Sequence, residues 1–223
     1  MEGEKEIIIA IDGPAGAGKS SVASEVAQSL NYSHLDTGSM YRGATCYLLQ
    51  EEIPLEKEQD ILRALEEMKM ELRDNRILID GRDITPFIRS PEVEKHVSYV
   101  SSLAGVRRIL IDKQQQIAGE GGVVLDGRDI GTRVCPQAEL KVFLSAAPFI
   151  RAKRRFFQTG GSGDLAFIFE DLNRRDEYDR SREVGPLIPA RDARFLDTSH
   201  LPRREVVAII VRWAREVMGN QQV

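Results

Sequence analysis

The stretch "EIIIAIDGPAGAGKSS", residues 6–21, joins an apolar run, a glycine-rich turn and the start of an amphipathic segment. Glu6 to Ile11 is short and rich in isoleucine, the composition of a strand covered on both faces. From Ser20 to Leu30, the residues Val22, Ala23, Val26, Ala27 and Leu30 recur at the spacing of one helical face. Between them, Gly13, Pro14, Ala15, Gly16, Ala17, Gly18, Lys19 and Ser20 form the complete P-loop pattern, with Ser21 behind it. Glycines let the backbone wrap an anion with its N–H groups turned inward, and the following helix adds its positive end. Lys19 is expected to reach the outer phosphates of a nucleoside triphosphate, and Ser20 to offer its hydroxyl oxygen to Mg²⁺.

Further along, "YSHLDTGSMYRG", residues 32–43, reads as a short strand ending near Asp36 and a turn into a helix. Residues 56–70 carry a helical stripe of Ile61, Leu62, Leu65 and Met68. "MELRDNRILIDGRDIT", residues 70–85, changes period. It predicts two extended pieces turning at Asp74–Asn75 and a further turn at Asp80–Gly81, a small antiparallel excursion. Ser90 and Pro91 have the chemistry of a cap and first turn for another helix. Residues 102–118, 148–157 and 165–178 read as helices, and Gly122–Asp126, Glu139–Leu144 and Arg194–Asp197 as strands. Gly160, Gly161 and Gly163 make either a hinge or a passive turn. Residues 205–218 close the chain with a helix whose stripe, Trp213 included, reads as core. Strands alternating with helices predict an α/β fold, a parallel sheet flanked by helices.

A chain of 223 residues is long enough for one domain with inserted excursions. Its 42% hydrophobic and 30% charged residues exclude a disordered chain. The net charge of -4 disfavours nucleic acid as a main partner. Two cysteines, Cys46 and Cys135, make neither a disulfide scaffold nor a metal set, which suits a reducing cytoplasm. Met1–Lys5 lacks a signal-peptide pattern, and no stretch has the length to span a bilayer. His34, His96 and His200 stand in no metal-ligand cluster and are read as surface or locally hydrogen-bonded residues. Arginines gather between Arg151 and Arg182, either as phosphate-binding forks or as a compositional bias.

Several P-loop classes share this start. A GTPase needs an Asn-Lys-x-Asp segment to read guanine, and the chain has none. "GGVVLDGRD" places Asp126 after an apolar strand, as a motor or transport ATPase does. A small-molecule kinase instead needs an acceptor clamp and mobile arginines. Four segments bear on this choice: "IDGPAGAGKSS", "LDTGSMYRG", "VLDGRDIGTRV" and "RRDEYDRSREVGPLIPARDA". Together, and in this order, they resemble the bacterial cytidylate kinases over nearly the whole chain.

The resemblance implies transfer of the terminal phosphoryl group of ATP to CMP or dCMP, with Mg²⁺. It implies a core of residues 1–54, 98–150 and 183–223, a monophosphate-binding insert of 55–97 and a lid of 151–182. It implies that Arg42 holds the acceptor phosphate and that Thr37 keeps a hydroxyl near base or sugar. Ser98 and Arg107 resemble residues that read cytosine and hold the acceptor. Arg128 and Asp129 resemble a phosphate clamp and a base-recognising carboxylate, and Asp179 and Arg182 a sugar and phosphate pair. Arg154, Arg174 and Arg175 resemble lid arginines. The expected partners are small-molecule nucleotides, with no nucleic acid and no membrane, for a cytoplasmic monomer.

The residues themselves leave alternatives open. Asp36 reads equally as a site carboxylate and as a helix cap. Ser98 alone reads as a helix-surface residue. Arg107 and Arg108 are adjacent and point in different directions, and spacing does not choose between them. Asp179 could pair with a neighbouring arginine. Other small acceptors such as UMP, AMP or shikimate, and a nucleotide-dependent protein switch, are the rival readings.

Overall fold

A computed structural model describes residues 6–73, 76–119 and 121–220. In chain order the elements are strand β1 (Ile8–Asp12), helix α1 (Lys19–Leu30), β2 (Ser33–Asp36), α2 (Thr37–Gln50), α3 (Glu58–Glu67), β3 (Met70–Arg73), β4 (Arg76–Ile79) and β5 (Arg82–Asp83). They continue with α4 (Pro91–Val100), α5 (Ala104–Ala118), β6 (Val123–Gly127), β7 (Leu140–Ser145), α6 (Pro148–Gln158), α7 (Leu165–Ser181), β8 (Arg194–Asp197) and α8 (Arg203–Asn220). A π-helical turn, Ile130–Val134, follows β6. The chain divides into two compact units, Met1–Leu35 with Ile117–Val223, and Asp36–Gln116.

The first unit is built on a five-stranded sheet in the order β2-β6-β1-β7-β8. β1 pairs in parallel with β6 and with β7, and β7 with β8. Every residue of β1 is buried, which is why its sequence is a continuous apolar run rather than an alternation. Ile9 and Ile11 of β1 share one core with Val22 and Val26 of α1 and Val206, Ile210 and Ala214 of α8. Trp213 packs against that core, as expected, with the Arg194 guanidinium 5.3 Å from its ring centre. The strand order reverses beside β1, since β6 and β7 flank it on opposite sides. In open α/β sheets such a switch point, at the carboxyl ends of the strands, is where ligands bind. The P-loop leaves β1 at that end.

The second unit has its own antiparallel sheet, β3-β4-β5, and its own core, which includes Ile61, Leu65, Ile77, Val93 and Leu110. Asp80 and Gly81, with φ of 49° and 79°, turn the chain between β4 and β5 where a turn was expected. The turn expected at Asp74–Asn75 lies outside the described residues, as does Met1–Lys5. α4 starts on the predicted cap, the Ser90 hydroxyl accepting from Val93 N at 3.4 Å with Pro91 in the first turn. α3 is shorter than its sequence stripe. Met68 lies just past its end and is still buried. Among the described residues no helix is long and apolar enough to cross a membrane, and Cys46 and Cys135 are both free and buried.

Candidate active site

The P-loop is held close to its neighbouring strand. Gly13 has φ of 151°, and a Cβ there would lie 2.1 Å from the Leu144 carbonyl oxygen of β7. Only glycine lets the loop leave β1 at this distance. Lys19 opens α1 and folds back across the loop, its Nζ donating to the Pro14 carbonyl oxygen at 2.9 Å. Burial, and next the Arg128 charge, lower its pKa from 10.5 to about 7; Asp126, Asp12 and Asp179 oppose that fall.

This has a consequence for stability. A lysine whose folded pKa lies below its unfolded value is penalised in the native state when charged. The penalty is complete below about pH 7, shrinks as pH rises and is gone above about 10.5. Nucleotide-free wild-type protein should therefore gain stability across that window relative to Lys19→Met, which has nothing to titrate. Melting curves of the two proteins from pH 7 to 10 check this. Parallel pH profiles would contradict the depressed lysine.

Ser20, next on α1, donates its hydroxyl to Asp126 Oδ2 at 2.7 Å. Asp126 is the fourth residue of the buried strand β6 and is itself 2% exposed. A hydroxyl and a carboxylate side by side are the hard oxygen donors that suit Mg²⁺, which is held by one or two protein oxygens together with substrate phosphates. The other Asp126 oxygen, Oδ1, lies 2.8 Å from His34 Nε2. His34, expected at the surface or in a local hydrogen bond, is instead joined to a residue of another strand.

Asp12, at the end of β1, accepts from Ile130 N and Gly131 N at 2.8 Å each. Burial raises its pKa to about 6. Its carboxylate fastens the turn that follows Arg128 and Asp129. Asp129 is buried, and its carbonyl oxygen accepts from Arg133 N at 2.9 Å.

Arg128 donates from Nε to Asp179 Oδ2 at 2.8 Å, and Arg182 pairs with Asp179 Oδ1 at 2.5 Å. Asp179 therefore does pair with arginines, and both partners are residues assigned to phosphate. A second buried set lies on the P-loop. Arg151 of α6 donates to the Ala15 carbonyl oxygen at 2.9 Å and to Asp176 Oδ2 of α7 at 2.5 Å. Asp176 Oδ1 accepts the Ala15 N–H at 3.1 Å. Both polar groups of one P-loop peptide residue are thus held by a single ion pair.

Arg154 of α6 also sits on the loop. It donates to the Ala17 carbonyl oxygen at 3.3 Å and to the Thr198 hydroxyl and carbonyl oxygens at 2.9 and 2.6 Å. Burial lowers its pKa. Arg174 and Arg175 both pair with Asp171, and the Arg174 side chain is 78% exposed.

In the second unit, Asp36 caps α2. Its Oδ1 accepts from Ser39 N at 2.8 Å and its Oδ2 from the Ser39 hydroxyl at 2.7 Å. The same Oδ2 accepts from Arg42 at 3.3 Å, so the cap also steers that arginine. A Cβ on Gly38 would lie 3.2 Å from Arg42 Nη1, so the glycine leaves room for the guanidinium. Thr37 is buried at the start of α2. Arg107 is 2% exposed, donates to the Ser101 carbonyl oxygen at 3.3 Å and lies 5.5 Å from the Tyr41 ring centre. Arg108, its neighbour on α5, is exposed. Ser98, on α4, is half-buried.

The family model described as cytidylate kinase matches residues 9–216. The chain belongs to the cytidylate kinase family. The cytidylate kinase of Desulfitobacterium hafniense is 45% identical over 92% of this chain and 90% of its own length. That of Desulforamulus reducens is 44% identical over 93% and 96%. A crystal structure of an uncharacterized protein from Eubacterium ventriosum superposes with a TM-score of 0.55 at 14% identity, covering 95% of this chain and 99% of that one, a likeness of fold.

Asp12, Arg151, Asp176 and the contact made by His34 were missed from the sequence alone. A signal for Asp12 existed, an acid ending an otherwise apolar buried strand. Arg151 and Asp176 lay inside an arginine-rich, acid-rich stretch in which nothing marks the one pair that becomes buried. His34 is a polar residue in a short strand whose neighbour is known only once the sheet order is known.

Proposed function

We propose that this chain transfers the terminal phosphoryl group of ATP to CMP or dCMP, with Mg²⁺, giving ADP and CDP or dCDP. The observation that carries the reading is the grouping of charge around Lys19 in the first unit. The P-loop amine stands within electrostatic reach of Asp12 and Asp126, at and near the carboxyl ends of β1 and β6, of Arg128 just past β6, and of Asp179 on α7. Gly13–Ser21 is assigned to ATP. Ser20 and Asp126 are the oxygens assigned to magnesium, which when bound compensates charge on the outer phosphates.

In the transfer, an oxygen of the acceptor phosphate forms a bond to the terminal phosphorus of ATP. The bond from that phosphorus to the bridging oxygen breaks, and its electron pair leaves with ADP. The attacking oxygen is already anionic, so no strong base is needed, and catalysis is positioning and charge compensation. Lys19 and the P-loop amides meet the charge that builds on the phosphates being separated. Arg42, Arg128 and Arg182 are assigned to the acceptor phosphate. Arg154, Arg174 and Arg175 are assigned to lid closure; Arg174 and Arg175 must exchange Asp171 for a phosphate. Thr37, Ser98, Arg107, Asp129 and Asp179, with Asp36 steering Arg42, are assigned to recognition of the nucleoside. Two buried free thiols suit a reducing cytoplasm, and we assign the enzyme there as a monomer.

The test is ADP release measured with CMP, dCMP, UMP, AMP and shikimate. Cytosine and uracil differ at the exocyclic group and at N3, so a pocket built on hydrogen bonds leaves a partner unpaired with UMP. We expect kcat/KM for UMP roughly tenfold to a hundredfold below that for CMP. AMP or shikimate as the best acceptor removes the cytosine assignment. ADP release indifferent to every acceptor favours the protein switch.

Asp179→Ala should raise KM for the acceptor and leave KM for ATP nearly unchanged. Loss of a charged hydrogen bond costs about 1–3 kcal/mol, some five- to a hundredfold in kcat/KM. Steady-state kinetics for ATP, CMP and dCMP, paired with a melting curve, decide it. Equal losses for all three that track a lower melting temperature withdraw Asp179 from nucleoside recognition, leaving it as the structural partner of Arg128 and Arg182.

A further inference from the structure

We infer that His34 is a positioning residue for the magnesium-binding hydroxyl, acting on Ser20 through the carboxylate of Asp126. The inference rests on the assignment of Ser20 and Asp126 to magnesium. Three side chains from three elements make one chain of contacts. His34 comes from β2, Asp126 from the adjacent strand β6 and Ser20 from the first turn of α1. His34 Nε2 is 2.8 Å from Asp126 Oδ1, and Ser20 Oγ is 2.7 Å from Asp126 Oδ2. The Asp126 side chain is 3% exposed, and the His34 side chain 12%.

The direction of each bond follows from the donors present. The Ser20 hydroxyl gives its only proton to Oδ2, which leaves its oxygen lone pairs for a cation. Oδ1 accepts from the imidazole, which places a proton on Nε2. A carboxylate held at one oxygen turns about its own axis, whereas one held at both is fixed. His34 on Oδ1 and Ser20 on Oδ2 thus both help fix the plane of Asp126, and Asp126 sets the rotor of Ser20. Nothing in this chain of contacts requires His34 to touch nucleotide or metal. Its expected signature is therefore a loss in metal-dependent binding, distinct from a loss in binding the nucleotide itself.

His34→Leu removes the donor and keeps an apolar side chain of moderate size. His34→Gln keeps an N–H donor at the end of a side chain of similar reach. The measurement is the calorimetric affinity of full-length protein for ADP with magnesium and for ADP in EDTA, with melting curves on each variant. Partners that orient a metal's ligands change affinity by about 10–100-fold when removed. We expect His34→Leu to weaken ADP binding by about tenfold with magnesium and by little in EDTA, and His34→Gln to recover most of the difference.

Other outcomes overturn the inference in distinguishable ways. If the wild-type protein binds ADP equally with and without magnesium, and Ser20→Ala does the same, the magnesium assignment itself fails. If the wild type depends on magnesium and His34→Leu depends on it as much, only the role of His34 fails. Equal weakening with magnesium and in EDTA, alongside a lowered melting temperature that His34→Gln does not restore, makes His34 a strand-pairing residue and nothing more.

Discussion

Lys19→Ala should lower kcat by about 10²–10³-fold at saturating ATP and CMP while leaving the protein folded. Lys19 is the cationic side chain of the P-loop, lies across the loop on Pro14, and is already buried before any ligand arrives. A preformed charge in a site that excludes water acts on the phosphates without reorganising, and removing one such donor costs on this scale. The loss belongs in kcat because the interaction strengthens as charge moves onto the bridging oxygen. The amine is also a stability liability at neutral pH, since burial has lowered its pKa to about 7. Removing it should therefore not lower the melting temperature at pH 7 to the extent expected for a buried residue. Rapid quench under single-turnover conditions, with a melting curve, is the check. A near wild-type kcat would remove Lys19 from the chemistry.

Asp176→Ala should be the most destabilising single change proposed for this chain. The side chains of Arg151 and Asp176 are 4% and 2% exposed, and the pair holds both polar groups of Ala15. Removing the carboxylate leaves a buried guanidinium without its counter-charge and the Ala15 N–H without its acceptor. Breaking a buried pair from one side costs about 3–5 kcal/mol, and for a chain of this length that lowers the melting temperature by roughly 10 °C. The P-loop should loosen with it, raising KM for ATP more than KM for CMP. Replacing both members, Arg151→Met with Asp176→Leu, removes the uncompensated charge and should recover much of the stability. It should not recover the ATP affinity, because Ala15 stays untethered. Denaturant unfolding of the two variants and ATP titrations separate these effects. Loss of less than about 1 kcal/mol in the single variant would show that the pair is not the anchor its burial suggests.

The reading of the sequence carried the local part of this protein. The P-loop was legible because its glycines, lysine and serine are contiguous, and because a strand period before it changes to a helical period after it. The strand–helix alternation, the Ser90–Pro91 helix start and the Asp80–Gly81 turn were legible for the same reason: each is set by neighbours a few residues away. The order of the four long segments placed the chain in its family. Tertiary structure decided the partners. The cap reading of Asp36 holds, and the fold adds a contact the sequence does not show, since one carboxylate bonds Ser39 and Arg42 together. Arg107 is distinguished from Arg108 by burial alone. Asp12 meets Ile130, His34 meets Asp126 and Ala15 meets Asp176 across 118, 92 and 161 residues of chain. Periodicity and turn chemistry report how each segment folds on itself. They do not report which strand becomes whose neighbour, and a buried charge is stable only beside the partner that the sheet order brings to it.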